Sequence, residues 1–99
     1  MPHQKIKTKQ LKDMVERQDY RCALTGRELN PDTASADHIQ PVSKGGSHTI
    51  ENIQILHSEV NAAKGTMNND EFVSMWREVV QQVGGGGLNL YSISLWNHI

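Results

Sequence analysis

Apolar side chains recur along this chain at two different periods. Leu11, Met14 and Val15 fall at helical spacing behind Thr8, which predicts a helix over about residues 9–18 with Thr8 as N-cap and its lysines facing water. Residues 20–24 have the composition of a short strand stopped by Thr25-Gly26, and Leu29-Asn30-Pro31-Asp32 is built of turn formers. Residues 36–42 predict a further extended stretch, because Pro41 keeps Gln40 out of the helical region and removes a backbone donor. After a loop centred on Gly45-Gly46, the run Asn52-Ile53-Gln54-Ile55-Leu56 alternates polar and apolar, which is the period of a strand. The two extended stretches together predict a hairpin, with Asp37 and His38 near the end of its first strand. Residues 57–64 supply helix formers, with Gly65 where a C-terminal cap belongs. A longer helix starts at Asn69 or Asp70, and its Phe72, Met75, Trp76, Val79, Val80 and Val83 mark one apolar face, predicted to be core. Residues 84–87 are four glycines, a linker, and LNLYSISLWNHI follows as an apolar tail over 88–99, either an added strand or a partner surface. The pattern is that of an α+β domain without internal repeats.

Composition narrows this picture. A chain of 99 residues builds one domain with a small core, and 36% hydrophobic with 21% charged residues suits a compact soluble protein. The polar, basic start MPHQKIKTKQ has no apolar stretch behind it, and no run approaches bilayer length, so no membrane role and a cytoplasmic location are expected. Cys22 is the sole cysteine, which rules out an internal disulfide and a four-cysteine metal site. The net charge of −1 is unevenly spread: residues 1–30 hold seven basic against four acidic residues, net +3, and the remainder three against seven, net −4. A basic arm ahead of an acidic body suits phosphate contacts beside acids that hold a metal, and equally suits a solvated helix face.

Asp37-His38 alone is a weak signal, because an acid beside a histidine at a strand end is usually a surface pair. Its company changes that. Reading on from His38, the chain offers Pro41, Gly45-Gly46, Asn52, the run of residues 53–56, His57, Asn61, Lys64 and Gly65. This ordered set resembles the HNH nuclease family, whose pattern runs Asp-His-Ile, Pro, Gly-Gly, Asn-aliphatic-Gln and then Asn-x-x-Lys-Gly on a helix, and the likeness covers about residues 20–66. The resemblance implies a ββα-metal core, an antiparallel hairpin crossed by a helix, with the helix over about 69–83 as support. It implies a metal-dependent endonuclease that hydrolyses phosphodiester bonds in duplex DNA, leaves 5′-phosphate and 3′-hydroxyl ends, and nicks one strand per site as a monomer or weak homodimer. His38 matches the general base, Asp37 and Asn61 the ligands of one divalent cation, and Asn52 an orienting residue.

Physical chemistry agrees with these assignments. Phosphodiester hydrolysis needs an activated water and compensation for charge growing on the phosphate. A carboxylate from Asp37 and an amide oxygen from Asn61 suit a hard, partly hydrated cation such as Mg²⁺ or Mn²⁺. An imidazole with an ordinary pKa is largely neutral above pH 7, as a base must be. Consecutive residues on a strand point to opposite faces, so His38 and Asp37 would straddle the phosphate. Asn52 can donate and accept at once, which suits it to tying the loop together. Lys64 is either a helix-end lysine or a phosphate contact, and Lys44, Arg21 and Arg27 are phosphate contacts by charge only. His3 and His48 are expected to be surface histidines.

The chain departs from the family's pattern at one place. Many HNH domains carry two Cys-x-x-Cys pairs around a structural zinc; here the corresponding positions are Cys22 with Thr25 and His57 with Val60. Too few ligands remain for a closed four-ligand site, so no structural zinc is expected, and packing around Trp76 is expected to take over its stabilising part. Two other functions stay in view: a non-catalytic zinc or nucleic-acid-binding module using Cys22 and histidines, and an inactive HNH-like interaction domain using the tail.

Overall fold

The computed structural model describes residues 5–84, so His3, the remainder of the glycine linker and the apolar tail lie outside the described residues. The chain divides into two compact units, Met1–Asn68 and Asn69–Ile99.

The first unit begins with helix α1, Thr8–Arg17. Lys7, in extended conformation, is its N-cap, and Thr8 is already helical. Thr8 is therefore not the cap, because Gln10 one turn in accepts the Lys7 N–H through Oε1 at 2.8 Å and fixes the helix start one residue earlier. The helix stops at two successive non-glycine residues in the left-handed region, Asp19 and Tyr20, both at φ 56°. Such backbone costs on the order of 1 kcal/mol or more per residue. Here it is held by Tyr20 N–H to the Val15 carbonyl at 2.9 Å and by Leu29 N–H to the Tyr20 carbonyl at 2.8 Å.

The strand expected over 20–24 shrinks to a single antiparallel bridge between Arg21 and Glu28. The chain turns back too early for more: Cys22 accepts from Gly26 N–H at 2.9 Å and donates to the Arg27 carbonyl at 2.7 Å, with Gly26 at φ 74°. Asn30 closes the next turn, its Oδ1 accepting from the N–H groups of Asp32 and Thr33.

Strands β1, Ala34–His38, and β2, Ile53–His57, pair antiparallel with Ala36 opposite Ile55 and Asp37 opposite Gln54. The first strand ends at His38, short of the extended stretch expected over 36–42, Pro41 caps the 3₁₀ turn Val42–Lys44, and Asn52 belongs to a 3₁₀ turn, Ile50–Asn52, ahead of the second strand. Helix α2, Ser58–Lys64, follows directly: His57 Nδ1 caps it by accepting from Glu59 N–H at 3.1 Å, and Gly65 at φ 56° ends it. The unit thus contains the ββα order of an α+β fold.

Alternation puts Ser35, Asp37, Gln54 and Leu56 on one face of the hairpin, and α2 covers that face through Asn61 and Lys64. The other face carries Ala34, Ala36 and Ile55, which line an open apolar groove together with Leu11 and Val15 of α1 and Leu29. Elements on both faces explain why Ile53, Gln54, Ile55 and Leu56 are all buried despite the alternation of polar and apolar residues. Cys22, Leu29 and Val60 add further buried apolar side chains to this unit.

The second unit contains helix α3, Asn69–Val83, with Asp70 and Glu71 in its first turn complementing the helix dipole. Phe72 is its one buried residue and meets Trp76 edge-on, with centroids 6.2 Å apart. Of the rest of the apolar face predicted to be core, Met75 is half-buried and Trp76, Val79, Val80 and Val83 are exposed, Trp76 at 47% and Val83 at 58%. Helical spacing reports which residues share a face but not whether anything covers it.

Candidate active site

The site is built where β1 ends. Asp37 is buried, and its Oδ2 accepts from Gln54 Nε2 at 3.0 Å and from Lys64 Nζ at 2.7 Å. Gln54 reaches it because the register sets the two residues opposite one another on the same face. Lys64 reaches it from α2, where Val60 and Lys64, one turn apart, turn inward. The lysine side chain has no exposed surface and its Nζ also donates to the His38 carbonyl at 2.9 Å. A buried ion pair is tolerated only when its remaining donors and acceptors are satisfied, and this one is tied on both sides. Of the two places the sequence left open for Lys64, a solvated helix-end lysine and a phosphate contact, the first is excluded, because its side chain is buried and directed at Asp37.

Asn61, three residues before Lys64, turns to the same strand. Its Nδ2 donates to Ser35 Oγ at 2.6 Å and to the Ala36 carbonyl at 3.3 Å. A carbonyl can only accept, so the amide orientation is fixed and Oδ1 points the other way. Neither Asn61 Oδ1 nor Asp37 Oδ1 accepts a hydrogen bond among the described residues. Two oxygens whose partner atoms are pinned by the protein are thus left open beside the same segment of β1. The described residues contain no cluster of three or more His, Cys, Asp and Glu side chains arranged to hold a metal. An Asp-plus-Asn donor set falls outside that pattern and suits a hard, hydrated cation.

His38 leaves the strand beside Asp37, with its Nε2 2.9 Å from His48 Nδ1 and its Nδ1 without a hydrogen bond among the described residues. His48, expected to be a surface histidine, is exposed and is also a partner of the candidate base. The signal for it was absent from local sequence, because the pairing depends on how residues 39–52 fold back. That loop is organised by Asn52: its Oδ1 accepts from Gln40 N–H at 3.0 Å, and its Nδ2 donates to the carbonyls of Gln40 at 2.9 Å and Ser47 at 2.7 Å. The loop closes so tightly that a Cβ on Gly46 would lie 1.8 Å from the Gln40 carbonyl oxygen. Lys44 is exposed in the 3₁₀ turn Val42–Lys44 on the same loop. Arg27 pairs with Glu59 at 2.6 Å, and Arg21 donates to the Gly26 carbonyl at 3.1 Å and lies 4.0 Å from Glu28, so both are engaged within the protein.

At the opposite end of the hairpin, Cys22 is buried and free. Burial alone would raise its thiol pKa, but hydrogen bonds from the Thr25 hydroxyl and from the backbone of His57, Leu24 and Thr25 outweigh it and bring the pKa below the ordinary value of 9.0. Cys22 is enclosed by these bonds, Arg27 ties the turn to α2 through Glu59, and Ala23 N–H donates to the Ile55 carbonyl at 3.1 Å.

A hairpin crossed by a helix, with an Asp-His pair at the strand end and amides from loop and helix, defines a ββα domain of the kind that nucleases use. Residues 20–66, just under half of the chain, match the family model described as HNH endonuclease. A search of curated proteins returned no match. No helix among the described residues is long and apolar enough to cross a membrane.

Proposed function

We propose that the chain is a metal-dependent DNA endonuclease, with residues 20–66 as the catalytic core and α3 as an accessory element. The observation that carries this is the pair of open oxygens, Asp37 Oδ1 and Asn61 Oδ1, next to an imidazole whose Nδ1 is also open. Asp37 and Asn61 would hold one divalent cation, Mg²⁺ or Mn²⁺, which supplies charge compensation at the scissile phosphate. Gln54 and Lys64 orient the Asp37 carboxylate by occupying Oδ2, as outer partners of metal ligands commonly do. His38 removes a proton from the attacking water at Nδ1. Asn52 and Gly46 keep the loop closed, so the backbone that follows His38 stays in place. Lys44 lies on the exposed side of that loop, where a DNA phosphate can be reached. One such site cuts one strand, so a monomer nicks duplex DNA.

Plasmid relaxation with a panel of divalent cations tests this directly. Wild type should convert supercoiled to open-circular plasmid with Mg²⁺ or Mn²⁺ and lose activity with a chelator. His38→Ala should lower the rate by about 100-fold or more, since a positioned general base is worth about 10²–10⁴. Intact supercoiled plasmid in the presence of folded wild type and every cation would refute the proposal.

A further inference from the structure

Two histidines joined ring to ring pose a question that the nuclease reading leaves open: which nitrogen of His38 carries the proton. A neutral imidazole has one N–H and one lone pair, and the hydrogen bond made at one nitrogen decides what the other can do. His38 Nε2 and His48 Nδ1 are 2.9 Å apart, and their rings are 5.2 Å apart and tilted by 46°. This geometry puts the two nitrogens, not the two ring faces, in contact. Between neutral rings a single proton occupies that bond. If it belongs to His38, then Nε2 is the donor and Nδ1 holds the lone pair that can take a proton from water. If it belongs to His48, then His38 carries its proton at Nδ1 and cannot act there as base.

We infer that His48 is a positioning residue that accepts from His38 Nε2–H and so keeps the base in its Nε2–H form with Nδ1 bare. The inference rests on the assignment of His38 as base. Two observations support the direction. His38 Nδ1 makes no hydrogen bond among the described residues, so a proton placed there would have no protein acceptor, whereas one on Nε2 has His48 at 2.9 Å. The loop that presents His48 is also held rigidly with respect to the strand end: Asn52 ties Ser47, the residue before His48, to Gln40, two residues after His38. Ser47 and Thr49 flank His48 and share a hydroxyl hydrogen bond of 2.9 Å, which fixes the backbone on both sides of it. Asn52 therefore acts on His38 through His48. In the reaction the water proton arrives at Nδ1 while the Nε2 proton stays in its bond to His48, so nothing passes between the rings and His48 is not a second base.

Two substitutions separate this from a merely structural role. His48→Phe keeps a ring and removes the acceptor; His48→Asn keeps an acceptor oxygen close to the position of Nδ1. The tautomer of His38 is read in the metal-free protein by long-range ¹H–¹⁵N correlation of the imidazoles at a pH where both rings are neutral. We expect the Nε2–H form in wild type and in His48→Asn, and a mixture in His48→Phe. Plasmid nicking should fall about tenfold in kcat for His48→Phe with KM unchanged, and largely recover in His48→Asn, the scale seen for outer partners of site residues. A wild-type spectrum showing His38 protonated at Nδ1 overturns the inference whether or not either variant folds. So does unchanged kcat in folded His48→Phe while wild type nicks. If wild type fails to nick but the tautomer follows His48 as expected, the nuclease reading falls and the positioning of His38 by His48 stands.

Discussion

Gln18 and Asn52 make the same three bonds in two different places. Each amide accepts one backbone N–H and donates to two backbone carbonyls: Gln18 to both polar groups of Ile55 and to the Arg21 carbonyl, and Asn52 to both polar groups of Gln40 and to the Ser47 carbonyl. Gln18 thereby imitates a strand on the edge of β2 that faces away from β1, capping backbone groups which would otherwise be an open edge. Asn52 instead closes the loop between the strands, within two residues of His38. Identical chemistry thus serves stability at one site and positioning at the other, and what separates the roles is distance from the base rather than strength of bonding.

The sharpest way to break this comparison is to remove the amides one at a time and measure rate and stability separately. Asn52→Ala frees the Gln40 and Ser47 backbone groups, and nicking by the folded protein should fall on the order of 10–100-fold. Gly46→Ala should reproduce that loss with the Asn52 side chain still present, because its Cβ would lie 1.8 Å from the Gln40 carbonyl oxygen and 2.9 Å from Asn52 Nδ2 and so force the closed loop apart. If both variants nick at wild-type rate while folded, loop closure does not position His38. Gln18→Ala should have the opposite signature. Leaving the Ile55 N–H unpaired and losing the paired carbonyl contacts costs about 2–3 kcal/mol, which lowers Tm by about 10 °C or more for a chain of this size. The rate per folded molecule should stay within about twofold, measured well below the new Tm. A loss of rate comparable to that of Asn52→Ala would show that the edge of β2 is coupled to the site.

The same pair of residues shows where sequence was informative and where it was silent. Asp37, His38, Asn52 and Asn61 stand in an ordered string with fixed spacing, and Pro41 and Gly46 have chemistry that dictates extended or tight backbone wherever they occur, so the hairpin and its candidate site were legible. Gln18 was not, because its partner Ile55 is 37 positions away and a glutamine at the end of a helix carries no mark of a distant strand edge. Lys64 illustrates a second limit. Its position on α2 follows from spacing, but whether it turns to solvent or to Asp37 depends on where the helix crosses the hairpin. Trp76 illustrates a third, since an apolar helical face predicts burial only when a partner for it is specified.

The smallest effect concerns the turn that Gln18 adjoins. Arg27 donates a charge-assisted hydrogen bond to Glu59 at 2.6 Å and, with its charge and that of His57, lowers the Glu59 pKa below 4.5, against a slight opposing effect of burial. A carboxyl whose pKa is lower in the folded state contributes stability that is complete above its unfolded value and is lost as pH falls through the folded one. The Tm advantage of wild type over Glu59→Gln should therefore be present at neutral pH, shrink below 4.5 and weaken in high salt, because both side chains are largely exposed. Glu59 also sits in the first turn of α2, where any acid favours the helix dipole, so this variant alone does not isolate the pair. A double-mutant cycle with Arg27→Gln does, since the dipole effect cancels and only the coupling remains. Coupling that vanishes at neutral pH would leave Gln18 and the Cys22 turn as the means by which this end of the hairpin is held, and would make the contrast with Asn52 one between two amides alone.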